Sequence, residues 1–108
     1  MRDLFSIIDK STMTERHFLE LSDKTFDTVE TIVDEDYPEA DYEREGNVLT
    51  ITREDEKSVV INRQEAMQEI WLASPLGGRH FRYEEGGALI DTRDGKPFEE
   101  SLRAAMGN

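Results

Sequence analysis

Residues 48–73 read VLTITREDEKSVVINRQEAMQEIWLA, and this segment carries the clearest strand pattern of the chain. It holds three short apolar runs separated by charged or polar residues: Val48–Thr52, Ser58–Asn62 and Ile70–Ala73. In the first run Leu49 and Ile51 alternate with polar residues, which is the pattern of a strand with one buried face. Short connections favour antiparallel pairing of consecutive strands. The stretch therefore predicts the centre of an antiparallel meander.

Further strand patterns lie on both sides of this centre. Asp41–Glu45 precedes the turn at Gly46 and Asn47, and its high charge is typical of an edge strand. Two more runs, His80–Tyr83 and Ala88–Asp91, are each followed by a glycine-containing turn. We therefore predict an antiparallel sheet of five to six strands.

Two amphipathic helices flank the predicted strands. The first runs from about Thr14 to Asp36 and ends before Pro38, because the residue that precedes a proline avoids the helical region. Its apolar residues share one face: Phe18, Leu21, Phe26, Val29, Ile32 and Val33. The second runs from Pro97 to about Met106. The sequence predicts an α+β fold, a two-layer sandwich with the N-terminal and C-terminal helices on one face of the sheet. Residues 1–108 form a single domain, and residues 1–12 are left unplaced.

The charge of the chain excludes several classes of function. The 108 residues carry a formal charge of −12, and 17 of the 25 acidic residues lie within residues 1–56. This charge opposes binding to nucleic acid and to anionic membranes. There is no cysteine, which excludes thiol catalysis and thiolate-held clusters. With no membrane-length apolar run and no spacing typical of a catalytic triad, we predict a soluble intracellular protein that is not an enzyme.

The polar face of the first helix carries a stripe of carboxylates. Its members are spaced three and four residues apart: Glu20, Asp23, Asp27, Glu30 and Asp34. Such hard oxygen ligands suit Fe²⁺, Mn²⁺, Mg²⁺ or Ca²⁺, and without histidine ligands we expect shallow, weak and poorly selective binding. The alternative interpretation is an ordinary solvated helix face.

Trp71 is predicted to lie on the outer face of the sheet. Since Ile70 and Leu72 take the buried face, strand alternation directs Trp71 outward, beside Asn62 and Gln64. An exposed tryptophan among polar residues is a candidate interface anchor. The alternative is a core tryptophan.

Several segments together resemble the frataxin family, in particular its bacterial branch. They are Asn47–Thr52, Val60–Gln64, Ile70–Pro75, Gly77–Gly78 and His80–Phe81. The resemblance implies an iron-binding protein of iron–sulfur cluster assembly, acting as iron donor or as iron-dependent regulator of the cysteine desulfurase–scaffold complex. The implied metal-binding residues are Asp23, Asp27, Glu30, Asp34, Glu35, Asp41 and Glu43. The implied partner-binding residues are Asn62, Arg63, Gln64 and Trp71.

The resemblance also implies a cofactor, partners and a location. The cofactor would be iron, Fe²⁺ or Fe³⁺, held weakly by surface carboxylates and replaceable by other divalent cations. The partners would be the cysteine desulfurase and the scaffold protein. The chain would be a monomer, and iron-driven oligomers are the alternative state. The location would be the bacterial cytoplasm, or the mitochondrial matrix in a eukaryote. Two alternatives stay open: a ferroxidase that stores iron, and a metal-independent acidic adaptor of a basic partner.

Overall fold

A computed structural model of the chain describes residues 13–107, so the unplaced segment 1–12 lies outside the described residues. Two helices flank six strands in the order α1 (Glu15–Asp36), β1 (Asp41–Glu45), β2 (Val48–Thr52), β3 (Ser58–Gln64), β4 (Glu69–Ser74), β5 (Gly77–Tyr83), β6 (Leu89–Asp91) and α2 (Phe98–Ala105). The strands form one antiparallel sheet in sequential order, with β1 at an edge. The predicted α+β two-layer fold is confirmed.

The ends of α1 follow from its sequence. The Thr14 side chain accepts a hydrogen bond from the backbone N–H of His17 at 3.1 Å, so Thr14 caps the start of the helix. The helix ends at Asp36, and Tyr37 lies between it and Pro38. Helix α2 begins one residue after Pro97, which occupies the cap position instead of the predicted first turn.

Three strands are longer than the sequence predicted, and β4 is longer by one residue at each end, Glu69 and Ser74. Strand β3 continues to Gln64, because Arg63 pairs with Ile70 and Gln64 pairs with Glu69. Strand β5 begins at Gly77, which pairs with Ser74, so only two residues connect β4 to β5. The connection is therefore shorter than the gap between the predicted runs Ile70–Ala73 and His80–Tyr83. A φ of +115° at Gly77 lets the chain reverse there.

Strand alternation assigns a face to every side chain of the sheet. The inner face packs against both helices and carries the buried residues Leu49, Ile51, Val59, Ile61, Ile70, Leu72 and Phe81. The helices contribute Phe18, Phe26, Val29, Val33, Phe98, Leu102 and Ala105 to the same core. The opposite sheet face, called here the outer face, has no helix over it in residues 13–107. No helix within that range is long and apolar enough to cross a membrane.

Candidate functional site

Two members of the acidic stripe, Asp23 and Asp27, are neutralised by two arginines. Arg44 of β1 binds Asp23 at 3.0 Å and Asp27 at 3.1 Å. Arg63 of β3 binds the same Asp23 oxygen at 2.7 Å. Both guanidinium groups also lie over the ring of Phe26, at 4.7 and 5.6 Å from its centroid. Asp23 and Asp27 therefore belong to a network that ties α1 to the sheet.

Arg63 does not share the outer face with Asn62, Gln64 and Trp71, although the resemblance groups the four as partner-binding residues. Its side chain points inward beneath α1 and is only 12% exposed. There it also donates to the Ser22 hydroxyl at 3.0 Å and to Asn47 Oδ1 at 3.1 Å. Because Arg63 follows Asn62 directly, alternation places the two side chains on opposite faces.

The C-terminal half of the stripe keeps its charge. Within residues 13–107, no arginine or lysine forms an ion pair with Glu30, Asp34 or Glu35. Asp34 accepts a hydrogen bond from the Tyr42 hydroxyl at 3.1 Å. Desolvation, this hydrogen bond and the charges of Asp34 and Glu30 raise the pKa of Tyr42 above its usual value. The electrostatic field here is negative and open to solvent.

Asp41 and Glu43 extend the acidic surface around the edge of the sheet. They alternate with Tyr42 and Arg44, whose side chains contact α1, so they point to the opposite side of β1. Both are exposed, and neither forms an ion pair within the described residues. The seven predicted metal-binding residues therefore fall into three groups: a neutralised pair, a charged helix end and a charged strand edge.

These carboxylates do not converge on one point. Within residues 13–107, no three histidine, aspartate or glutamate side chains come close enough together to hold a metal ion. A cation at this surface would therefore meet the carboxylates of one or two residues and complete its shell with water or with atoms of a partner. Hard divalent cations accept such mixed shells.

The outer face carries an aromatic cluster around Trp71. The indole is half-buried and stacks on the ring of His80, with 4.3 Å between centroids and 8° between planes. Its Nε1–H donates to Glu69 at 2.8 Å. Asn62 pairs with Trp71 across the strands, and Gln64 pairs with Glu69. Three of the four predicted partner-binding residues thus share one face.

A shallow hollow of about 220 Å³ lies beside this aromatic cluster. Trp71 and His80 line it together with Asn62 and the small residues Ala73 and Gly78. The outer face therefore combines an aromatic pair with a recess.

Sequence reasoning missed Arg44, Glu69, His80 and Arg82 as parts of these surfaces. Glu69, Trp71, His80 and Arg82 meet only through the β4–β5 register, in which Trp71 pairs with His80. A correct length for the β4–β5 connection would have predicted that pair. Arg44 could have been predicted to face α1, because it alternates with Glu43 and Glu45 on an edge strand.

Comparison with known proteins shows which family the chain resembles. Residues 11–108 match the model of the frataxin-like domain. An iron–sulfur cluster assembly protein CyaY from Bordetella avium is 47% identical over 94 residues, which cover 83% of this chain and 85% of that protein. The CyaY protein of Vibrio vulnificus strain YJ016 is 46% identical over 91 residues, covering 84% and 86% of the two chains.

Solved structures agree with the fold described above. Frataxin from Psychromonas ingrahamii superimposes with a TM-score of 0.79 at 33% identity, covering 87% of this chain and 89% of that one. A trimeric frataxin from the yeast Saccharomyces cerevisiae, complexed with ferrous iron, gives a TM-score of 0.62 at 26% identity. It covers 90% of this chain and 89% of that one.

Proposed function

The chain belongs to the frataxin family, and from this we infer that it is an iron–sulfur cluster assembly protein. We propose that it binds iron at its acidic surface and docks on the assembly machinery without catalysing a reaction of its own. The observation that supports this best is the uneven neutralisation of α1. Among the described residues, arginines pair within the acidic stripe only with Asp23 and Asp27. The carboxylates of Glu30 and Asp34 can therefore attract a cation or a basic protein.

The proposed iron-binding region centres on Glu30, Asp34 and Glu35, with Asp41 and Glu43 at the strand edge. These carboxylates have no competing cation among the described residues, whereas iron at Asp23 or Asp27 would have to displace Arg44. The yeast relative has been crystallised with ferrous iron, which supports iron as the ligand. We propose that binding is weak and that Mn²⁺ can substitute, because the carboxylates of one or two residues hold a cation loosely.

The proposed partner is the cysteine desulfurase–scaffold complex. The acidic surface would meet a basic patch, and the outer face with Asn62, Gln64 and Trp71 would contact a second patch. Tryptophan is enriched among the residues that dominate binding energies, and complementary charge accelerates association. Arg63 would support this interaction only indirectly, because it holds α1 on the sheet.

The iron proposal is tested by titrating Mn²⁺, or Fe²⁺ under nitrogen, into ¹⁵N-labelled protein and following paramagnetic broadening. We expect the amides of residues 30–43 to broaden first. The triple substitution Glu30→Gln, Asp34→Asn and Glu35→Gln should remove most of this effect. As matched control, Glu84→Gln with Glu85→Gln removes exposed charge from the turn between β5 and β6, outside residues 30–43, and should leave the broadening unchanged. Equal broadening in all three proteins would contradict the proposed region.

A metal-independent adaptor is the second candidate function. It is favoured by the lack, within residues 13–107, of three grouped metal-binding side chains. The two candidates differ in one measurement, the affinity for the purified desulfurase–scaffold complex with and without Fe²⁺. If iron leaves this affinity unchanged and the triple substitution weakens it in both conditions, the adaptor is correct. Loss of Fe²⁺ to oxidation, followed with and without the protein, tests the ferroxidase alternative.

A further inference from the structure

A carboxylate is buried on the outer face of the sheet, beneath the aromatic cluster. Glu69, the first residue of β4, is only 5% exposed although no helix covers this face. Burial of a carboxylate is costly unless its oxygens are hydrogen-bonded. Both oxygens of Glu69 have partners: Oε1 accepts from Trp71 Nε1, and Oε2 accepts from Arg82 Nε at 3.0 Å. The His80 Nδ1 atom lies 3.5 Å from Oε1.

The strand geometry explains how Glu69 controls the indole. Residues 69 and 71 lie on the same face of β4, two positions apart, so the Trp71 N–H can turn back to the Glu69 carboxylate. His80 on β5 pairs with Trp71 and stacks on its ring. The indole is thus held by a hydrogen bond at its edge and by a stacked ring against its face.

Arg82 completes the arrangement from the other side. Its side chain is 57% exposed, yet its Nε–H is fixed on the second carboxylate oxygen of Glu69. A charge-assisted hydrogen bond of this kind fixes the carboxylate orientation more firmly than a neutral one. The position of the carboxylate, and through it the position of the indole, is therefore set by two strands together.

We propose that Glu69 is a positioning residue that holds the Trp71 indole in a fixed orientation before docking. This inference rests on the proposed function, since it assumes that the outer face contacts the cysteine desulfurase–scaffold complex. A side chain that is already ordered loses less conformational entropy on binding, so the same contact yields a higher affinity. Glu69 itself makes no contact with the partner in this proposal, because the stacked rings and Arg82 cover it.

The experiment uses the single tryptophan as its own reporter. Trp71 is the sole tryptophan of the chain, so tryptophan fluorescence and the tryptophan bands of the near-UV circular dichroism report on this side chain. Glu69→Leu removes both acceptors and keeps a side chain of similar size, and Glu69→Gln retains one oxygen for the indole N–H. Glu84→Leu is the matched control, because it makes the same substitution at an exposed position after β5.

Two measurements are made on each variant: acrylamide quenching of the free protein and affinity for the desulfurase–scaffold complex. For Glu69→Leu we expect the quenching constant to rise about twofold as the half-buried indole is released. We expect its affinity to fall about tenfold, equivalent to about 1.4 kcal/mol. Glu69→Gln can accept from the indole N–H but not also from Arg82, so we expect a smaller rise in quenching than for Glu69→Leu and most of the affinity to remain. Glu84→Leu should match the wild type in both measurements.

The outcomes separate this inference from the function on which it rests. Unchanged quenching in folded Glu69→Leu would overturn the positioning role. Raised quenching with unchanged affinity would also overturn it, provided that Trp71→Ala weakens binding. If Trp71→Ala binds as the wild type does, the docking role of the outer face fails instead. Should Glu69→Leu not fold, Arg82→Gln provides the test, since it frees one carboxylate oxygen and should raise quenching by a smaller amount.

Discussion

Replacing Arg63 with alanine should destabilise the fold rather than weaken docking directly. Arg63 lies beneath α1, where it donates to Asp23, Ser22 and Asn47 and covers the ring of Phe26. The Ser22 residue is fully buried, and its hydroxyl also donates to the Leu19 carbonyl at 3.1 Å. The substitution therefore removes a set of hydrogen bonds at the boundary between helix and sheet.

The magnitude follows from the number and kind of these contacts. Hydrogen bonds of charged groups contribute about 1.5–3 kcal/mol each, and a partly exposed cation–π contact about 0.5–1 kcal/mol. These contributions are not additive for one side chain, and Asp23 retains Arg44 while Ser22 retains the Leu19 carbonyl. We expect a loss of about 3 kcal/mol in the free energy of unfolding, with Arg63→Lys recovering part of it.

The measurement is urea unfolding followed by far-UV circular dichroism, together with affinity for the desulfurase–scaffold complex below the unfolding range. Arg16→Ala is the control, because Arg16 is exposed and forms no ion pair among the described residues. It should change stability by less than about 0.5 kcal/mol. If Arg63→Ala keeps full stability and loses affinity, the assignment of Arg63 to the helix–sheet boundary is wrong.

Three further predictions follow from the same contacts. Trp71→Ala should lower the free energy of unfolding by about 1 kcal/mol or less and weaken binding to the complex by about 2 kcal/mol or more. A larger loss of stability than of binding would indicate a core tryptophan. Affinity for the desulfurase–scaffold complex should fall steadily up to about 0.5 M salt, where the screening length is about 4 Å; a salt-independent affinity would contradict electrostatic docking. Burial by itself would raise the pKa of Asp91, but hydrogen bonds from the Arg93 and Asp94 backbone and from Arg79 lower it below its usual value. The unfolded state then takes up protons first as pH falls, so Asp91 stabilises the fold above about pH 4 and loses this effect below it. Acid unfolding of Asp91→Asn should lack that step, and an unchanged acid transition would refute the assignment.

Local patterns predicted the faces of the sheet well, because burial acts on each residue separately. Alternation in β2 and β4 placed Leu49, Ile51 and Leu72 inside and Trp71 outside, as the structure shows. The same rule would have placed Arg63 inside, beside Ile61. The resemblance groups Arg63 with its neighbours as one block of sequence, although adjacent strand residues face opposite ways.

Contacts between elements were harder to predict, because they depend on register and on helix docking. The cluster of Glu69, Trp71, His80 and Arg82 requires the two-residue connection at Pro75 and Leu76. The predicted runs Ile70–Ala73 and His80–Tyr83 leave this register open, and a shift of one residue would move every side chain to the other face. The pairing of Arg44 with Asp23 and Asp27 depends on how closely α1 approaches β1. No sequence pattern within α1 or β1 predicts the distance between them.

The distribution of counter-charge along α1 explains why its C-terminal end suits a cation. A helix dipole stabilises acids near the N-terminus and opposes them near the C-terminus. Yet Arg44 and Arg63 neutralise Asp23 and Asp27, which lie nearer the N-terminus, and the last turn of α1 contains no basic residue. Among the described residues only Asp36 in that turn has an arginine partner, Arg103 at 3.0 Å. The helix dipole and the carboxylates of Glu30, Asp34 and Glu35 therefore both favour a cation at the C-terminal end of α1. A cation that binds there relieves repulsion already present in the folded chain, and by mass action it should raise the free energy of unfolding.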